Sequence, residues 1–273
     1  MNTWHWQTWQ TLPYLTCTLL GDFPHGFFTQ QFWARPPAEL VPVFDATAPA
    51  YRVKQVHGNT VLSPSELEKP GNPDEAASLS EADGLVTEQA NQAIWVCSAD
   101  CTPVLIADLA TGATAAVHAG WRGTAAEIVP RAIARLVTQG SQLPNLRIAM
   151  GPAIAGEVYQ VSTTVAAQVT ASLLPIERLD GETDLQTILE AVQQIPHSPI
   201  LSDPQPGRVR LDVRRVNALQ LEQLGIGTEQ VAIAPYCTYQ TPEHFFSYRR
   251  DRQKKVQWSG IISQNQRLGI GIE

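Results

Sequence analysis

The chain has 273 residues, 44% of them apolar, and a formal net charge of −7 at pH 7. This charge argues against a general nucleic-acid surface, because nucleic-acid backbones are bound by dense patches of Lys and Arg. No stretch approaches the roughly 18 apolar residues of a membrane span. No Lys or Arg precedes Arg35, so a signal peptide is not expected either. We therefore expect a cytoplasmic protein with reduced cysteines, formed by a single domain over residues 1–273.

Apolar runs of β type alternate with helical runs along the chain, which predicts an α+β fold. The expected strands are residues 51–56, 84–87, 93–97, 103–108, 114–118, 147–150, 209–212 and 231–234. The expected helices are residues 125–138, 164–174, 185–194 and 213–224. Thr124 and Glu127 have the spacing of a capping box at the start of the first helix. Segments 63–82 and 196–207 are rich in Pro, Ser, Asp and Glu, and we expect them to be surface loops.

The segment SADCTPVLIADLATGATAAVHAGWRGT predicts two antiparallel strands. A tight turn that places Leu109 opposite Gly112 joins them. The same register places His118 opposite Pro103, so that Cys101 lies on the same face as His118. Diagonal neighbours of this kind are about 7–8 Å apart at the backbone, which is close enough for a thiolate and an imidazole to share one metal ion.

A third metal ligand is expected at His57, which lies at a strand end just before a Gly-Asn turn. Two imidazoles and one thiolate form a set that zinc accepts in catalytic sites, where the fourth position is left to water or substrate. Gly120 and Gly123 lie close to His118 in sequence and would permit a close approach of the backbone to the site. The sequence therefore predicts one zinc ion bound by His57, Cys101 and His118.

The residues alone leave three other interpretations open. Cys101 and His118 could be ordinary core residues with satisfied partners. They could also form the Cys–His pair of a thiol hydrolase, since an imidazole beside a thiolate activates that nucleophile. Finally, Cys97 lies four residues before Cys101 and could close a structural zinc site as a fourth protein ligand.

Six motifs in this order closely resemble the YfiH / laccase-domain family: KQVHGNTV, ADGLVT, SADCTPVLIAD, AAVHAGWRGT, GPAIAGEVYQV and FFSYRRD. The resemblance runs from about His25 to Asp251. It implies a single-domain αβ sandwich with mixed β-sheets and a zinc ion held at the positions of His57, Cys101 and His118. Two segments depart from the family pattern: Gln30 stands where Arg is usual, and RQKKVQWSG follows FFSYRRD in place of a Thr-Gly-Arg segment.

Members of that family were first labelled multicopper polyphenol oxidases. Related members are described as purine nucleoside enzymes that combine phosphorylase and adenosine deaminase activities, and a bacterial branch is linked to peptidoglycan editing. The resemblance therefore implies a zinc-dependent enzyme that cleaves adenosine- or inosine-type nucleosides with phosphate and deaminates adenosine. The alternatives are a Cys–His hydrolase or amidase acting on a peptidoglycan precursor, a copper-dependent polyphenol oxidase, and a non-catalytic zinc-stabilised nucleotide-binding module.

A copper oxidase is the least expected of these activities. A four-copper centre requires many imidazoles, and the chain has six His in all. Its methionines are Met1 and Met150, so the weak axial Met of a blue-copper site is also hard to supply.

Phosphorolysis requires cations that hold phosphate within a chain of net negative charge. Arg122, Arg249 and Arg250 are the candidates, because planar guanidinium groups match phosphate oxygens in pairs. Phe246, in the same FFSYRRD segment as the last two, is expected to pack against a purine. The alternative for these arginines is a structural ion pair with Asp100 or with the Asp that follows Arg250.

Two further polar residues complete the expected site. Asp100, next to Cys101, is a candidate proton carrier or an orienter of a neighbouring ligand, and we place it with Cys101 and Arg122 among the catalytic residues. Gln55, two residues before His57, is expected to contact substrate. The expected partners are a purine nucleoside and phosphate, with no nucleic acid and no membrane.

Overall fold

The computed structural model describes residues 3–68, 79–174 and 185–265. The strands in these ranges are β1 (Trp4–Trp9), β2 (Leu12–Cys17), β3 (His25–Phe28), β4 (Ala50–Arg52), β5 (Val61–Leu62), β6 (Gly84–Val86), β7 (Ala93–Ser98), β8 (Thr102–Asp108), β9 (Thr114–Ala119), β10 (Leu146–Met150), β11 (Gln160–Ser162), β12 (Ile200–Leu201), β13 (Arg208–Leu211), β14 (Val231–Ile233) and β15 (Gln257–Ile262). The α-helices are α1 (Pro37–Leu40), α2 (Trp121–Ala125), α3 (Ile128–Thr138), α4 (Thr163–Thr170), α5 (Leu185–Gln193), α6 (Val213–Gln223) and α7 (Tyr248–Asp251).

The strands form two six-stranded sheets and a small three-stranded sheet. The first sheet has the order β1-β2-β3-β15-β7-β4 and the second the order β14-β10-β8-β9-β6-β5, while β11-β13-β12 form the third. Both large sheets are mixed, since β4 pairs parallel with β7 in the first, and β14 with β10 and β5 with β6 in the second. The expected α+β fold with mixed sheets is therefore confirmed.

The alternation of side chains along β8 places the second sheet between two apolar layers. Leu105 and Ala107 belong to a core that also contains Phe27 and Ile94 of the first sheet. Val104 and Ile106, on the opposite face, pack in a second core with α3 and α6. Successive residues of a strand point to opposite faces of its sheet. Because a core covers each face here, β8 is buried along its whole length. The hairpin that carries the candidate site therefore has a rigid base.

The expected elements are all present, with two differences near the candidate site. The first strand ends at Arg52 rather than at residue 56, because backbone N–H groups of residues 56–58 bond to the carboxylate of Asp83 instead of a neighbouring strand. The helix expected over 125–138 is divided into α2 and α3. The strands β1, β2, β3 and β15 were not expected from the sequence.

The two expected loops are only partly described. Residues 69–78 of segment 63–82 lie outside the described residues, whereas segment 196–207 contains the short strand β12. None of the helices in the described ranges has the length and apolar character that crossing a bilayer requires.

Candidate metal centre

Three side chains from separate parts of the chain converge at one end of the second sheet. His57 follows β4, Cys101 immediately precedes β8, and His118 lies in β9. Their ligand atoms all lie within 4.8 Å of one another. The two imidazole rings are nearly perpendicular, with ring centroids 4.9 Å apart. His118 is buried, Cys101 is half-buried and His57 is exposed, so the cluster is closed on the protein side and open on the other.

The β8–β9 hairpin brings two of these side chains together. Pro103 pairs with His118 and Thr102 with Ala119, which is the register expected from the turn. Cys101 therefore lies on the face of His118, as the sequence predicts. Asp100 adopts the left-handed conformation, with φ of 88°, at the bend that precedes β8.

The carboxylate of Asp83 organises the other side of the cluster. It accepts backbone N–H groups from Val56, His57 and Gly58 at 3.1, 2.9 and 2.6 Å, and so holds the loop that carries His57. It also lies 2.8 Å from Nδ1 of His118. An ionised carboxylate can only accept, so the Nδ1 of His118 is the donor and its Nε2 is left for the cluster.

Asp83 is completely buried. Burial opposes its ionisation, but the hydrogen bonds from His118 and from the backbone of Gly58 and Val56, together with the charge of His118, outweigh that effect and lower the pKa of Asp83 below its usual value. The carboxylate is therefore the stable form of this side chain, and it keeps its function as an acceptor.

The absence of a side chain at Gly120 gives the three ligands the space they occupy. A Cβ at this position would lie 2.9 Å from Sγ of Cys101, 3.4 Å from the His57 ring and 3.6 Å from the His118 ring. Gly123 is similarly crowded, since a Cβ there would lie 2.8 Å from the carbonyl oxygen of Gly58. The expectation that these glycines permit close backbone approach is confirmed.

The electrostatics of the cluster favour a thiolate. Burial raises the pKa of Cys101, but the charges and hydrogen bonds of His118 and His57 outweigh it, and the pKa falls to about 6. Burial lowers the pKa of His118, whereas the Cys101 thiolate and the hydrogen bond to Asp83 raise it, to about 9. The thiolate is the form of Cys101 that zinc binds, whereas the raised pKa of His118 favours the imidazolium, which must lose its Nε2 proton before it binds a metal ion. Two imidazoles with one thiolate form a suitable donor set for zinc.

Cys97 does not belong to the cluster of ligand atoms. Burial raises the pKa of its thiol to about 12. Its backbone forms a closed pair with Gln55, whose amide donates to the carbonyl oxygen of Cys97 and accepts from its N–H, both at 2.7 Å. Among the residues that the structure describes, the candidate ligand set is thus three and not four.

The three ligands lie in a cavity of about 510 Å³. Its walls include Gln55, Asp100, Tyr159, Tyr248 and Arg249, and its other lining residues include those of segment 252–256. A cavity of this size suits a small organic ligand such as a nucleoside. Burial, followed by the nearby charge of Cys101, raises the pKa of Tyr159 to about 12, so its hydroxyl remains a proton donor in the cavity.

Asp100 and Arg249 are brought into this cavity but are held by structural contacts. One oxygen of Asp100 accepts the hydroxyl of Thr238 at 2.7 Å, and the other accepts the backbone N–H of Arg249 at 2.6 Å. The guanidinium of Arg249 donates to the carbonyl oxygen of Gln160 at 2.8 Å and lies over the ring of Tyr159. Asp100 therefore fixes the position of α7 beside the cluster.

Three other expected site residues are not among those that line the cavity. Arg250 donates to the carbonyl oxygens of Thr238, Tyr239 and Phe245 and forms a two-point ion pair with Asp251. Arg250 therefore forms the structural ion pair that the sequence left open as the alternative to phosphate binding.

Phe246 packs edge-on against Trp33, with ring centroids 5.6 Å apart. Arg122 is exposed, and its guanidinium lies 4.1 Å from the ring centre of Trp121.

Two residues of the site were missed by sequence reasoning, Asp83 and Tyr159. Both lie in motifs that signalled the resemblance, Asp83 in ADGLVT and Tyr159 in GPAIAGEVYQV. The available signal was an acidic residue directly before a predicted strand and an aromatic hydroxyl in a motif that the resemblance singled out. Neither pattern identifies a partner, because Asp83 contacts residues about 25 and 35 positions away in the chain.

Comparison with known proteins gives a consistent result. A family model described as multi-copper polyphenol oxidoreductase laccase matches residues 38–263. A protein of Synechocystis sp. named purine nucleoside phosphorylase is 48% identical over 96% of this chain and 98% of its own length. A purine nucleoside phosphorylase of Deinococcus radiodurans is 32% identical over 80% of this chain and 71% of its own length.

Two solved structures share the fold. YlmD from Geobacillus stearothermophilus superposes with a TM-score of 0.75 and 23% identity, covering 95% of this chain and 98% of that protein. The protein YfiH from Bacillus licheniformis gives a TM-score of 0.69 and 21% identity, covering 92% and 96%. These matches confirm the mixed α+β architecture.

Proposed function

This chain belongs to the family described as multi-copper polyphenol oxidoreductase laccase, and we propose that it is a zinc-dependent purine nucleoside phosphorylase that also deaminates adenosine. The observation that carries the proposal is the cluster of His57, Cys101 and His118 inside a cavity of nucleoside size. The names of the relatives in Synechocystis sp. and Deinococcus radiodurans support the substrate class.

Zinc rather than copper is favoured by the number and kind of donors. All six His lie in the described ranges, but only His57 and His118 join a group of at least three candidate ligands there. His25, for example, is buried with both ring nitrogens bonded to backbone groups. A four-copper centre needs many more imidazoles than this cluster supplies, whereas a catalytic zinc needs three protein ligands.

The chain contributes binding, orientation and proton placement. Asp83 holds the His118 ring and the His57 loop, so these two ligands keep their mutual positions when the cavity is filled. The hydroxyl of Tyr159 offers a hydrogen-bond donor to the base or the ribose. Bound zinc would supply Lewis acidity beside the substrate.

In phosphorolysis, an oxygen of phosphate forms a bond to C1′ of the ribose while the bond from C1′ to the base nitrogen breaks. The electron pair of that bond stays with the base, which leaves as the free purine after taking up a proton. In deamination, water replaces the amino group at C6 and ammonia leaves. The first reaction requires a bound phosphate and the second does not.

The test separates the two reactions with one preparation of protein. Adenine or hypoxanthine release and inosine formation are measured with and without inorganic phosphate, after zinc loading and after treatment with a chelator. We expect base release to require phosphate and both activities to fall after chelation. Base release that is equally fast without phosphate would contradict the phosphorylase assignment.

A Cys–His hydrolase or amidase is the second candidate, and the lowered pKa of Cys101 is the observation that favours it. A thiolate beside an imidazole is also the arrangement of a thiol nucleophile. The two candidates differ in what inactivates the protein. A thiol hydrolase would survive chelation and lose activity on alkylation of Cys101, whereas the proposed enzyme loses activity on chelation alone.

A further inference from the structure

Three basic side chains lie along one edge of the cavity, directly after α7. Arg252, Lys254 and Lys255, here called the basic rim, belong to the RQKKV segment between α7 and β15 and line the same cavity as the three candidate metal ligands. The helix ends with Arg252 in the left-handed conformation, fixed by its N–H bond to the carbonyl oxygen of Tyr248. Sequence reasoning assigned no role to this segment.

The charges of the basic rim are not used elsewhere in the described part of the chain. None of its three residues takes part in an ion pair with another described residue. Arg252 lies over the ring of Tyr248 at 5.7 Å, and Lys255 lies over Phe246 at 5.8 Å. Such contacts position the side chains and leave their N–H donors free for a ligand.

The cavity that the basic rim lines contains few carboxylates among its described lining residues. Among the lining residues that the structure describes, Asp100 is the single carboxylate, and both its oxygens already accept protein donors. The rim thus forms a local positive region in a chain of net charge −7. Within a cleft, such a region attracts a multiply charged anion more strongly than the same charges would on a flat surface.

The arginines suggested by the motifs are less available to such an anion. The guanidinium of Arg249 is bonded to the carbonyl oxygen of Gln160. Arg250 is bonded to three carbonyl oxygens and lies outside the lining. Arg122 is not among the residues that line the cavity.

We propose that Arg252, Lys254 and Lys255 bind the phosphate group of a substrate in this cavity. The ligand chemistry is a phosphate dianion, either inorganic phosphate as the attacking group or the 5′-phosphate of a purine nucleotide. The inference rests on the proposed function only in taking the cavity as the substrate site. It replaces Arg122, Arg249 and Arg250 with the basic rim as the source of positive charge for phosphate.

The test compares two double variants of equal charge. Lys254→Gln with Lys255→Gln removes two charges of the basic rim. Lys54→Gln with Arg208→Gln removes two exposed charges outside the cavity lining, one of them in a surface ion pair with Glu81. Thermal unfolding of both shows whether the fold is kept. Calorimetry with inorganic phosphate, adenosine 5′-monophosphate and adenosine then gives three affinities for each protein.

We expect the rim variant to bind phosphate or the nucleotide about ten- to a hundred-fold more weakly than wild type, as for the loss of one or two charge-assisted contacts. Adenosine should bind unchanged, and the control variant should match wild type for all three ligands. Tighter wild-type binding of the nucleotide than of adenosine, lost in the rim variant, identifies the 5′-phosphate as the source. Phosphate binding that persists in the presence of adenosine and weakens in the rim variant identifies inorganic phosphate.

Unchanged affinity of the rim variant for both phosphate and the nucleotide would overturn the proposal. So would a fall in affinity that the control variant shows equally, because general charge would then be its cause. These measurements are equilibrium binding and need no turnover. Phosphate binding by the basic rim can therefore be found even if the protein does not catalyse phosphorolysis. Conversely, the rim can prove not to bind phosphate even if the protein does catalyse phosphorolysis.

Discussion

Asp83 and His118 lie side by side in the interior, with the carboxylate oxygen 2.8 Å from Nδ1 of the ring. The backbone N–H of His118 also donates to the backbone carbonyl of Asp83 at 2.7 Å. The same carboxylate holds the loop of His57. One buried aspartate thus positions two of the three candidate metal ligands, which come from opposite ends of a 61-residue interval in the sequence.

The first prediction concerns Asp83→Asn. An amide presents donors to groups that are themselves donors, so the His57 loop and the His118 ring should lose their fixed positions. Zinc affinity, measured by competition with a chelator, should fall about ten- to a hundred-fold, as for other residues that orient metal-bound histidines. Asp45→Asn is the control, because the carboxylate of Asp45 lies in a surface loop and, among the described residues, accepts hydrogen bonds from Thr47 alone. Wild-type zinc affinity in a folded Asp83→Asn variant would contradict this role.

The second prediction concerns Gly120→Ala. Gly120 has φ of −73°, which any residue adopts, so the effect of the added methyl group is its contact with Cys101 at 2.9 Å. We expect a loss of zinc affinity of at least about tenfold. Gly140→Ala is the opposite case, since a Cβ there meets nothing within 4 Å but the backbone has φ of +106°. That variant should lose about 1–2 kcal/mol of unfolding free energy and keep its zinc. If Gly120→Ala binds zinc as tightly as Gly140→Ala, the space beside Cys101 that Gly120 leaves is not required for zinc binding.

The third prediction separates structural from functional arginines. Arg250→Ala leaves the carbonyl oxygens of Thr238, Tyr239 and Phe245 without their donor. The free energy of unfolding, measured with urea, should fall by about 3 kcal/mol. Arg208→Ala, an exposed position, should change it by less than about 0.5 kcal/mol. If Arg250→Ala is as stable as wild type and instead loses phosphate affinity, Arg250 binds substrate after all.

The fourth prediction is a pH dependence of stability from His25. This ring is buried, and burial lowers its pKa below 6.5, although the hydrogen bond to the carbonyl oxygen of Phe23 acts in the other direction. Above pH 6.5 the ring is neutral in both states, so its contribution is constant. As pH falls below 6.5, the unfolded chain takes up the proton and the folded chain does not, so stability is lost until pH passes the folded-state pKa.

His25→Gln should remove this slope, which is at most about 1.4 kcal/mol per pH unit. The glutamine can still accept a hydrogen bond from the backbone of Cys17. His5→Gln, at an exposed position, should leave the slope unchanged. The measurement is urea unfolding of the three proteins between pH 5 and 7.5. Parallel curves for wild type and His25→Gln would show that His25 does not titrate differently in the two states.

The parts of the site that depend on local geometry could be predicted from the sequence. The turn between β8 and β9 determines the pairing of Pro103 with His118, and that pairing places Cys101 correctly. The role of Asp83 could not be predicted in this way, because its partners are distant in sequence. The same limit applies to the first sheet, where β3 pairs with β15 at the other end of the chain.

Tertiary contacts also overrode one local signal. Thr124 and Glu127 have capping-box spacing, but the hydroxyl of Thr124 accepts a hydrogen bond from the Asn217 amide at 3.1 Å, and α3 begins after Glu127 in the left-handed conformation. Motif membership likewise did not tell which side chains of FFSYRRD face the cavity. Arg249 lines the cavity, whereas the next residue, Arg250, is not part of the lining and bonds to backbone carbonyl oxygens.

We expect His57, Cys101 and His118 to hold one zinc ion and to leave room for substrate. The most direct measurement is a crystal structure of the zinc-loaded protein, with anomalous data collected on both sides of the zinc edge and elemental analysis of the same preparation. We predict about one zinc per chain, a single anomalous peak among these three side chains, and no bond from Cys97. A peak that appears only at the copper edge, a zinc closed by Cys97 as a fourth ligand, or no metal at these residues would contradict it.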